Sequence, residues 1–440
     1  MSDAPHPSLT QNVGGAISAS TQPSASAEAP EAARPSAKNR IRLLDAARGL
    51  GVLGILPCNM PDFAYPADVS GAMRSWPHGT GWETLAALAL TQIVFQRKFV
   101  SLFSMMFGVS VFLVGGERSD AERGLILRKR LLVLLAIGLF HCFAIWYGDV
   151  LVSYALGGFI VLLVRSWSPG RLLTLGLGVW LAICAIFALG AVFQSGMAPP
   201  KDAAAELAKA VAHNAKAIAH YQGGFLQSLT ANAQDGFQSQ IAQVGIVPAT
   251  FGLMCIGLAC YKWGIFTGEA SRGVYLALVG AGLTALVVVG IDYAILLRSG
   301  LNRVAGAPVT FTQTALAPLT SLAYVSLLFF ALRSKIWSWL PNILAPVGQM
   351  AFTNYLTQSL MMTALFYAGR GPDLYARIDR PGLWAIVLAV WLLQILWSRL
   401  WLTYFTMGPL EWGWRRLYRG DSPLRRARPG APPFTAAPAL

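Results

Sequence analysis

The chain has 440 residues, of which 55% are hydrophobic and 12% are charged. A soluble globular protein carries about 25% charged residues, so this composition excludes a soluble domain and indicates a polytopic membrane protein. The formal net charge of +14 belongs to Lys and Arg residues that bracket apolar stretches, a pattern typical of membrane orientation and not of nucleic-acid binding.

The two ends of the chain differ in composition from its centre. Residues 1–38 are rich in Ala, Ser and Pro and lack the basic and apolar regions of a signal peptide. The residues after Trp414 are rich in Pro and Arg. We therefore expect a disordered cytoplasmic tail over 1–38, a transmembrane domain over 39–419 and a second disordered cytoplasmic tail over 420–440.

Apolar stretches recur along the central part of the chain. Stretches of about 17 to 25 apolar residues are long enough to cross a bilayer as helices. Their recurrence predicts an all-α fold, a polytopic helical membrane bundle with about ten transmembrane helices. The predicted spans are Leu43–Met60, Phe99–Gly116, Leu131–Tyr147, Val150–Val164, Leu172–Phe193, Gln243–Tyr261, Gly273–Leu297, Thr314–Leu332, Val347–Ala368 and Leu383–Phe405.

A polar interval and a basic loop set the expected topology. Residues 195–240 include the Ala-rich sequence KDAAAELAKAVAHNAKAIAHYQGGF, which has a helical pattern but is too polar to span, so we expect an extracytoplasmic helical insert. The loop Gly116–Arg130, GERSDAERGLILRKR, has five basic residues and is expected on the cytoplasmic side. This assignment places both termini in the cytoplasm.

The first predicted span contains three polar side chains. In RIRLLDAARGLGVLGILPCNM, Arg40–Met60, the residues Asp45, Arg48 and Asn59 fall on one face of a helix. A polar side chain stranded in hydrocarbon costs several kcal/mol, so this face is predicted to point into the bundle or a water-filled cavity. The alternative is that Asp45 and Arg48 form an ion pair near the cytoplasmic surface.

A histidine and an aspartate flank the connection between the third and fourth predicted spans. In GLFHCFAIWYGDVLVSYALGG, Gly138–Gly158, Asp149 follows His141 by eight residues across a hairpin with almost no loop. A carboxylate can fix the tautomer of an imidazole and raise its basicity, which suits a general base or an acyl-accepting nucleophile. The alternative is a structural histidine that is satisfied within the core.

Three hydrogen-bonding side chains lie together on the ninth predicted span. Asn354 and Gln358 are four residues apart and share one helix face, with Tyr355 beside them. At mid-membrane depth these groups need partners, which are either a substrate or the polar groups of neighbouring helices. The residues alone leave both roles open.

Five segments resemble, in order, the signatures of a known family. They are RIRLLDAARGLGVLGILPCNM, KFVSLFSMMFG, RKRLLVLLAIGLFHCFAIWYGDVLVSYALGG, VGQMAFTNYLTQSLMMTALFY and GPLEWGWRRL. They cover most of the chain from Arg40 to Tyr418 and are similar to the YeiB-type bacterial inner-membrane proteins, a family catalogued as a domain of unknown function. The resemblance does not extend to residues 195–240. It implies a multi-pass protein of the bacterial inner (plasma) membrane.

The resemblance also implies which residues form a functional site. His141 and Asp149 match the family's hairpin motif and are the expected catalytic residues. The expected substrate-binding residues are Asp45, Arg48, Asn59, Lys98, Tyr154, Asn354, Tyr355 and Gln358. The family pattern is also matched at Gly49, Phe99, Gly148, Thr353, Gly408, Pro409, Glu411, Trp412 and Arg415. Pro57 and Cys58 depart from the usual aliphatic pair, and a kink at Pro57 would re-aim Asn59.

YeiB-type proteins are grouped with the transmembrane acyltransferase superfamily, whose members move acyl groups from acyl-CoA or a related donor to acceptors such as sugars. The resemblance therefore implies an integral-membrane acyltransferase with a small-molecule acceptor at the outer side, the lipid bilayer as its other partner, and no bound cofactor or metal. Basic residues that would attract the donor phosphates are Arg48, Arg128, Lys129 and Arg130. An open channel between the first, third and ninth predicted helices must then lead the acyl arm to His141.

Two other classes of function fit the same features. A transporter or exporter of a small molecule also needs several spans and buried polar residues, and an inverted repeat with broken helices, which is not visible in the sequence, would favour it. A structural or partner-binding membrane protein would lack a continuous polar cavity. Within the enzyme hypothesis His78, in SWPHGTGWE, is a rival to His141, because more remote superfamily members place an acyl-carrying histidine just outside the first span.

Overall fold

The structure is a computed structural model that describes residues 37–66, 69, 76–79, 81–196, 203–300, 303–420 and 424–425. Within these residues the regular structure is helical, apart from an isolated antiparallel bridge between Phe405 and Arg425. The all-α prediction is therefore confirmed. The tails predicted at 1–38 and 420–440 lie almost wholly outside the described residues.

The α-helices are numbered in chain order. They are α1 (Ala37–Ala64), α2 (Trp82–Leu90), α3 (Lys98–Gly115), α4 (Ala121–Phe140), α5 (Leu151–Val164), α6 (Pro169–Gly196), α7 (Ala203–Gln222), α8 (Phe225–Lys262), α9 (Arg272–Arg298), α10 (Arg303–Arg333), α11 (Trp339–Gln349), α12 (Ala351–Phe366), α13 (Arg380–Tyr404) and α14 (Pro409–Arg419). Two short π-helical segments, Thr91–Phe95 and His141–Ile145, follow α2 and α4.

Among the described residues, 6 helical stretches are long and apolar enough to cross a membrane. They are Trp82–Gly115, Pro169–Gly190, Phe225–Lys262, Arg272–Arg298, Pro308–Arg333 and Arg380–Tyr404. Of the other predicted spans, α5 is apolar but has only 14 residues, and Val347–Ala368 is broken at Met350 into α11 and α12. The chain is a helical membrane protein, and the total number of spans stays a prediction.

The break between α11 and α12 has a local cause. Met350 adopts φ −111° and ψ 29°, outside the helical region, and its N–H is shared between Pro346 O and Val347 O at 3.3 and 3.2 Å. Helix α12 then begins with N–H groups that need partners from outside the helix. Hydropathy does not show this break, because the residues on both sides of it are mostly apolar. Its consequence is a helix N-terminus inside the bundle.

One end of the bundle, which we call the basic end, carries the connections 116–120, 165–168, 263–271 and 334–338 together with α14. Side chains tie these parts together. The Nε of Arg165 donates to Gly116 O at 3.0 Å, and the Nζ of Lys262 donates to a carbonyl in the connection 165–168 at 2.9 Å. Helix α14 joins this end because the indole N–H of Trp414 donates to Arg130 O at 3.2 Å.

The opposite end, which we call the aromatic end, carries the connections 146–150, 223–224 and 367–379. Its buried core includes the rings of Phe63, Tyr65, Trp146, Tyr147, Tyr221, Tyr367 and Tyr375. Backbone hydrogen bonds join segments that are distant in the sequence: Ala368 N–H donates to Tyr221 O at 3.1 Å, and Ala376 N–H donates to Ala64 O at 2.9 Å. The end is therefore a packed layer.

The Ala-rich segment forms helix α7, as its pattern predicts, and the chain turns at Gly224, whose φ is 103°, into α8. Helix α8 has 38 residues, which corresponds to a length of about 57 Å, whereas the hydrocarbon core of a bilayer is about 30 Å thick. The predicted span Gln243–Tyr261 is its second half. Its first half packs on the aromatic end, where Asn232 Oδ1 accepts from Tyr147 N–H.

Helix α1 packs against α3, α11, α12 and α13, and its crossing with α11 is very close. A Cβ added to Gly49 would lie 2.1 Å from Leu344 O, and one added to Gly348 would lie 1.8 Å from Asp45 O. Only glycine lets the two backbones approach so closely. The crossing brings the polar half of α1 next to the break that precedes α12.

Candidate functional site

A cavity of about 310 Å³, which we call the central cavity, lies between α1, α3, α4, α5, α11, α12 and α14. Small-molecule sites typically enclose about 300 to 1,000 Å³, so its size suits a small ligand or part of a larger one. The charged and tyrosine side chains used in the argument below are Arg48, Arg130, Tyr154, Tyr355, Glu411 and Arg415.

Three arginines, Arg48, Arg130 and Arg415, line the central cavity. Arg130 donates from Nη2 to Ser110 Oγ at 2.9 Å, and its guanidinium carbon lies 4.5 Å from the ring centre of Trp414. Its Nε is buried and has no hydrogen-bond partner among the described residues. Arg48 on α1 and Arg415 on α14 line the same cavity as Arg130 on α4. These guanidinium groups form one cluster.

The charge of the cavity lining is predominantly positive. Arg48 donates to Asp45 Oδ1 at 3.3 Å, as the ion-pair alternative expected, but Asp45 does not line the cavity. Within the described lining the carboxylate that faces the three arginines is Glu411. Arg128 and Lys129, which were expected to act with Arg48, are exposed and do not line the cavity. The field in the cavity favours an anionic ligand.

Glu411 fixes α14 to the first turn of α12. Its Oε1 accepts from the N–H groups of Phe352 and Thr353 at 2.8 and 3.0 Å, and its Oε2 accepts from the Thr353 hydroxyl. These N–H groups are the ones that the break at Met350 leaves without helical partners. Burial raises the pKa of the Glu411 carboxyl. A Cβ on Gly408 would lie 2.1 Å from Glu411 Oε2, so a larger residue there would shift the Glu411 side chain.

The middle of the central cavity is apolar. Helix α3 contributes Phe103, Met106 and Phe107 to its lining. The ring of Tyr154 stacks beside them, with ring centroids 5.8 Å from Phe103 and 5.2 Å from Phe107, and its hydroxyl accepts from Ser104 Oγ at 3.2 Å. Such a lining suits a hydrocarbon group.

His141 and Asp149 form the hydrogen-bonded pair that their spacing suggests. Nδ1 of His141 lies 2.8 Å from Oδ1 of Asp149, and both side chains are completely buried. Oδ2 of Asp149 accepts from Val152 N–H at 2.8 Å. An ionised carboxylate only accepts hydrogen bonds, so Nδ1 is assigned the proton and Nε2 carries the lone pair of a base. Nε2 has no hydrogen-bond partner among the described residues.

His141 lies behind the wall of the central cavity. Its ring centroid is 5.5 Å from that of Tyr355, and Tyr355, Val150 and Leu151 line the cavity whereas His141 does not. The Tyr355 hydroxyl accepts from Val150 N–H at 3.4 Å, which is a long hydrogen bond. Because Nε2 is not exposed to the cavity, these wall residues have to shift before a ligand there can contact it.

A side chain from α8 stabilises the turn that brings His141 to Asp149. The π-helical segment at 141–145 ends α4, and Asn232 Nδ2 donates to Cys142 O at 3.0 Å while Asn232 Oδ1 accepts from Tyr147 N–H at 2.8 Å. These backbone groups would otherwise be buried without partners. Asn232 lies in the segment that the resemblance does not cover, and no sequence signal marked it.

Asn354 and Gln358 do not line the central cavity, although the resemblance implied that both bind substrate. Asn354 donates to Ser398 Oγ at 3.0 Å and accepts from the Trp397 indole at 2.8 Å. Gln358 donates to Gln394 Oε1 at 2.8 Å. These bonds connect α12 with α13, which is the alternative role of interhelical hydrogen bonding. The contacts support that alternative and give no support to substrate binding.

Lys98 and Asn59 also lie outside the cavity lining. Lys98 is fully buried at the start of α3, where its Nζ donates to Gln92 O at 3.2 Å. Asn59 shares a helix face with Arg48 but lies eleven residues further along α1, a distance of about 16 Å. The expected common chamber therefore includes Arg48 and not these two residues.

His78, the rival histidine, is exposed at the aromatic end. Its Nε2 lies 2.5 Å from the Tyr65 hydroxyl, and Tyr65 also donates to Ile378 O at 2.8 Å. His78 does not line the central cavity. Its contact with Tyr65 packs residues 76–79 against the end of α1.

The described part of the chain contains no group of three or more His, Cys, Asp or Glu side chains that could hold a metal ion. The cysteines Cys58, Cys142, Cys184, Cys255 and Cys260 are free. The groups that the central cavity offers a ligand are its arginines, tyrosines and apolar side chains.

Sequence reasoning placed Arg130 in a basic cluster of the cytoplasmic loop and gave α14 no place in the site beyond its family match. Leu127, Leu131 and Leu134 mark the buried face of α4, and Arg130 follows Leu127 by three residues, so it falls on that face. This spacing could have predicted that Arg130 is buried while its neighbours Arg128 and Lys129 are exposed. The cavity itself depends on the break at Met350, which carries no comparable signal.

The bundle, its apolar spans and its cationic cavity define a polytopic helical membrane protein. Residues 260–421 match the family model "Protein of unknown function (DUF418)". The chain is 30% identical over 397 residues to the uncharacterized protein YxaH of Bacillus subtilis, covering 86% of this chain and 93% of YxaH. It is 31% identical over 399 residues to the uncharacterized protein YeiB of Escherichia coli, covering 85% and 95% respectively.

A third relative is an uncharacterized 39.9 kDa protein of Bacillus acidopullulyticus, 24% identical over 404 residues that cover 86% of this chain and 93% of the relative. The chain therefore belongs to the YeiB family. No solved structure matches it. The names of these relatives state no activity, so the function has to be argued from the cavity.

Proposed function

We propose that the protein is an integral-membrane acyltransferase that moves an acyl group from acyl-CoA or a similar donor to a sugar-like or other small acceptor. The observation that carries the proposal is the buried His141–Asp149 pair next to the wall of a cavity with an apolar middle. A buried imidazole oriented by a carboxylate, with the lone pair of Nε2 available, is the arrangement of a general base.

In this mechanism His141 is the general base. Nε2 takes the proton of the acceptor hydroxyl or amine, the acceptor oxygen or nitrogen attacks the thioester carbonyl carbon, and the carbon–sulfur bond breaks. The proton then passes from Nε2 to the leaving thiolate. Asp149 keeps the proton on Nδ1 and stabilises the imidazolium that forms between the two transfers. Tyr355 must shift for the acceptor hydroxyl or amine to reach Nε2.

The proposal also orients the protein in the bacterial inner membrane. The basic end faces the cytoplasm, because basic residues in short loops are retained on that side. Both termini are then cytoplasmic, the donor enters at the basic end, and the acceptor arrives from the aromatic end. The central cavity leads from the basic end to the wall in front of His141.

The proposal is tested by acyl transfer in proteoliposomes. Radiolabelled acetyl-CoA serves as donor, with glucose as a hydroxyl acceptor and ethanolamine as an amine acceptor. Replacing a general base lowers rates by about 10² to 10⁴, and we expect a loss of this size for His141→Ala and a smaller one for Asp149→Asn. His78→Ala is the matched control and should transfer at the parent rate.

Equal rates for the parent and His141→Ala would remove this histidine from the mechanism. Loss of transfer in His78→Ala with retention in His141→Ala would assign the chemistry to the rival histidine. Thermal unfolding of each variant in detergent shows whether a lost rate reflects a lost fold.

A transporter is favoured by one specific observation, the break between α11 and α12. In secondary transporters, discontinuous helices direct their N-termini at anionic substrates near the middle of the membrane, and α12 begins at the central cavity. The same proteoliposomes separate the two functions. A transporter would deliver the labelled compound chemically unchanged across the membrane, in the parent and in His141→Ala alike. An acyltransferase would form a labelled product in the parent.

A further inference from the structure

The first turn of α12 is an anion-binding arrangement that the protein itself already fills. The N–H groups of Phe352 and Thr353 both donate to Glu411 Oε1, at 2.8 and 3.0 Å. The N-terminus of a helix binds phosphate and carboxylate groups through such N–H groups and through the helix dipole. With 16 residues, α12 is long enough to have a developed dipole. Glu411 is therefore an internal anion on this site.

A second, independent observation also indicates an anionic ligand. Arg130 lines the same cavity and is 8% exposed, and its Nε has no hydrogen-bond partner among the described residues. Buried guanidinium groups are normally paired with anions or fully hydrogen-bonded. Arg415, which also lines the cavity, follows Glu411 by four residues and so lies on the same face of α14. Arg130 on α4 and the exposed Arg415 on α14 thus line the same cavity as the α12 N-terminus.

Glu411 is also the main anchor of α14. Other polar contacts of α14 include Leu410 N–H, which donates to Thr353 Oγ1 at 3.1 Å, and the Trp414 indole, which donates to Arg130 O at 3.2 Å. Helix α14 covers the cavity with Glu411, Trp414, Arg415 and Tyr418. A group that displaces Glu411 from the amides would loosen this cover.

We propose that a phosphoryl group of the ligand binds the N–H groups of Phe352 and Thr353 together with Arg130, and that it displaces Glu411 from these N–H groups. The inference rests on the proposed function, since it names the part of the donor that the cavity holds. A ligand carboxylate would only replace one carboxylate by another. A phosphoryl group brings more charge and three acceptor oxygens, enough for the two amides and the Arg130 guanidinium group at once.

The phosphoryl group has two chemical sources, a soluble phosphate ester and a lipid phosphate headgroup. Binding to the purified full-length protein is measured by calorimetry with inorganic phosphate, with adenosine bisphosphate as the soluble ester and with dodecyl phosphate as the lipid-like ester. Binding of either ester supports the site, and the tighter of the two identifies the source. Binding of none of the three probes would overturn the inference.

The decisive variants change one charge at a time. Glu411→Gln removes the competing charge and should tighten binding of the ester about tenfold, whereas Arg130→Gln should weaken it about tenfold, which corresponds to the loss of one charged hydrogen bond. Matched controls are Glu122→Gln, an exposed glutamate in the first turn of α4, and Arg171→Gln, an exposed arginine near the start of α6. Both controls should bind like the parent. Unchanged affinity in Glu411→Gln and Arg130→Gln would overturn the inference.

A second measurement does not require a variant to fold. Hydrogen exchange of the α14 amides in the parent should accelerate when the ester is added, because the Glu411 anchor is released; slower or unchanged exchange would contradict the displacement. The same binding is measured in His141→Ala. If the charge variants behave as expected there while the parent shows no acyl transfer, the phosphoryl site stands and the proposed function fails. If transfer depends on His141 but the charge variants bind the ester like the parent, the proposed function stands and the phosphoryl site fails.

Discussion

Asp379 shows how a single carboxylate organises the aromatic end. Its oxygens accept from the Trp76 indole at 2.8 Å, from the Thr84 hydroxyl at 2.5 Å and from Arg380 N–H at 2.7 Å. Partial burial raises the pKa of Asp379, but these hydrogen bonds together lower it by more. The net pKa therefore lies below its ordinary value of 3.8. The carboxylate therefore joins the connection 76–81 and α2 to the start of α13.

A lowered pKa has a definite consequence for stability. The folded protein favours ionised Asp379, so its contribution is present above pH 3.8 and is lost as the pH falls below that value. We expect Asp379→Ala to cost about 3 kcal/mol, because it leaves the buried donors of Trp76 and Thr84 unpaired. Thermal unfolding in detergent between about pH 6 and pH 3 should show a steep loss of stability in the parent and a shallower one in the variant.

The control for this prediction is Asp120→Ala. Asp120 is also a helix N-cap, accepting from Arg123 N–H at 3.0 Å, but it is partly exposed and has no tertiary donors like those of Asp379. Its loss should cost about 1 kcal/mol, as expected for a cap alone. Equal costs for the two variants would show that the contacts of Trp76 and Thr84 contribute nothing.

At the scale of elements, the crossing of α1 with α11 sets the geometry of the cavity. A Cβ on Gly49 would meet Leu344 O at 2.1 Å, so Gly49→Ala must push the two helices apart, at a cost of about 1 to 3 kcal/mol. Gly280→Ala on α9 is the matched control, since nothing lies within 4 Å of its added Cβ. It should be neutral or stabilising by up to about 1 kcal/mol. Unfolding temperatures of the two variants check this; a stable Gly49→Ala would contradict the close crossing.

The elements that hydropathy and periodicity describe were predictable, and those that depend on single backbone positions were not. Helix α9 agrees with its predicted span within a residue at each end, because its apolar run is bounded by charged residues. The break at Met350 and the continuous course of α8 through the insert carry no such signal. Both arise from local backbone geometry and from packing between distant segments.

The candidate site likewise has parts that the sequence predicts and parts that it does not. The His141–Asp149 contact was predictable, because eight residues across a tight hairpin leave the two side chains few other partners. The cavity was not, since seven helices from all parts of the chain contribute to it. Asn354 shows the reverse case: its polarity was visible in the sequence, but only the structure reveals that Ser398 and Trp397 satisfy it.

At the scale of the whole molecule, the central cavity has two chemically different ends. Its arginines and α14 lie toward the basic end, and the turn that carries His141 leads toward the aromatic end, where the α7 and α8 insert packs. A ligand with an anionic head and an apolar arm would be held with its head at one end and its reactive carbon toward the other. The proposed reaction therefore requires that these two ends face different compartments.

The orientation of the two ends is the last prediction, and labelling of introduced cysteines tests it. Ser119→Cys in the connection 116–120 and Lys216→Cys on α7 are both at exposed positions, whereas of the native cysteines only Cys58 is more than slightly accessible. A membrane-impermeant maleimide should label Lys216→Cys in intact spheroplasts and Ser119→Cys only after lysis, because the basic loop is retained inside. The parent chain measures the background from Cys58. The opposite pattern would place the arginine-rich end outside, away from a cytoplasmic donor, and the proposed direction of transfer would have to be abandoned.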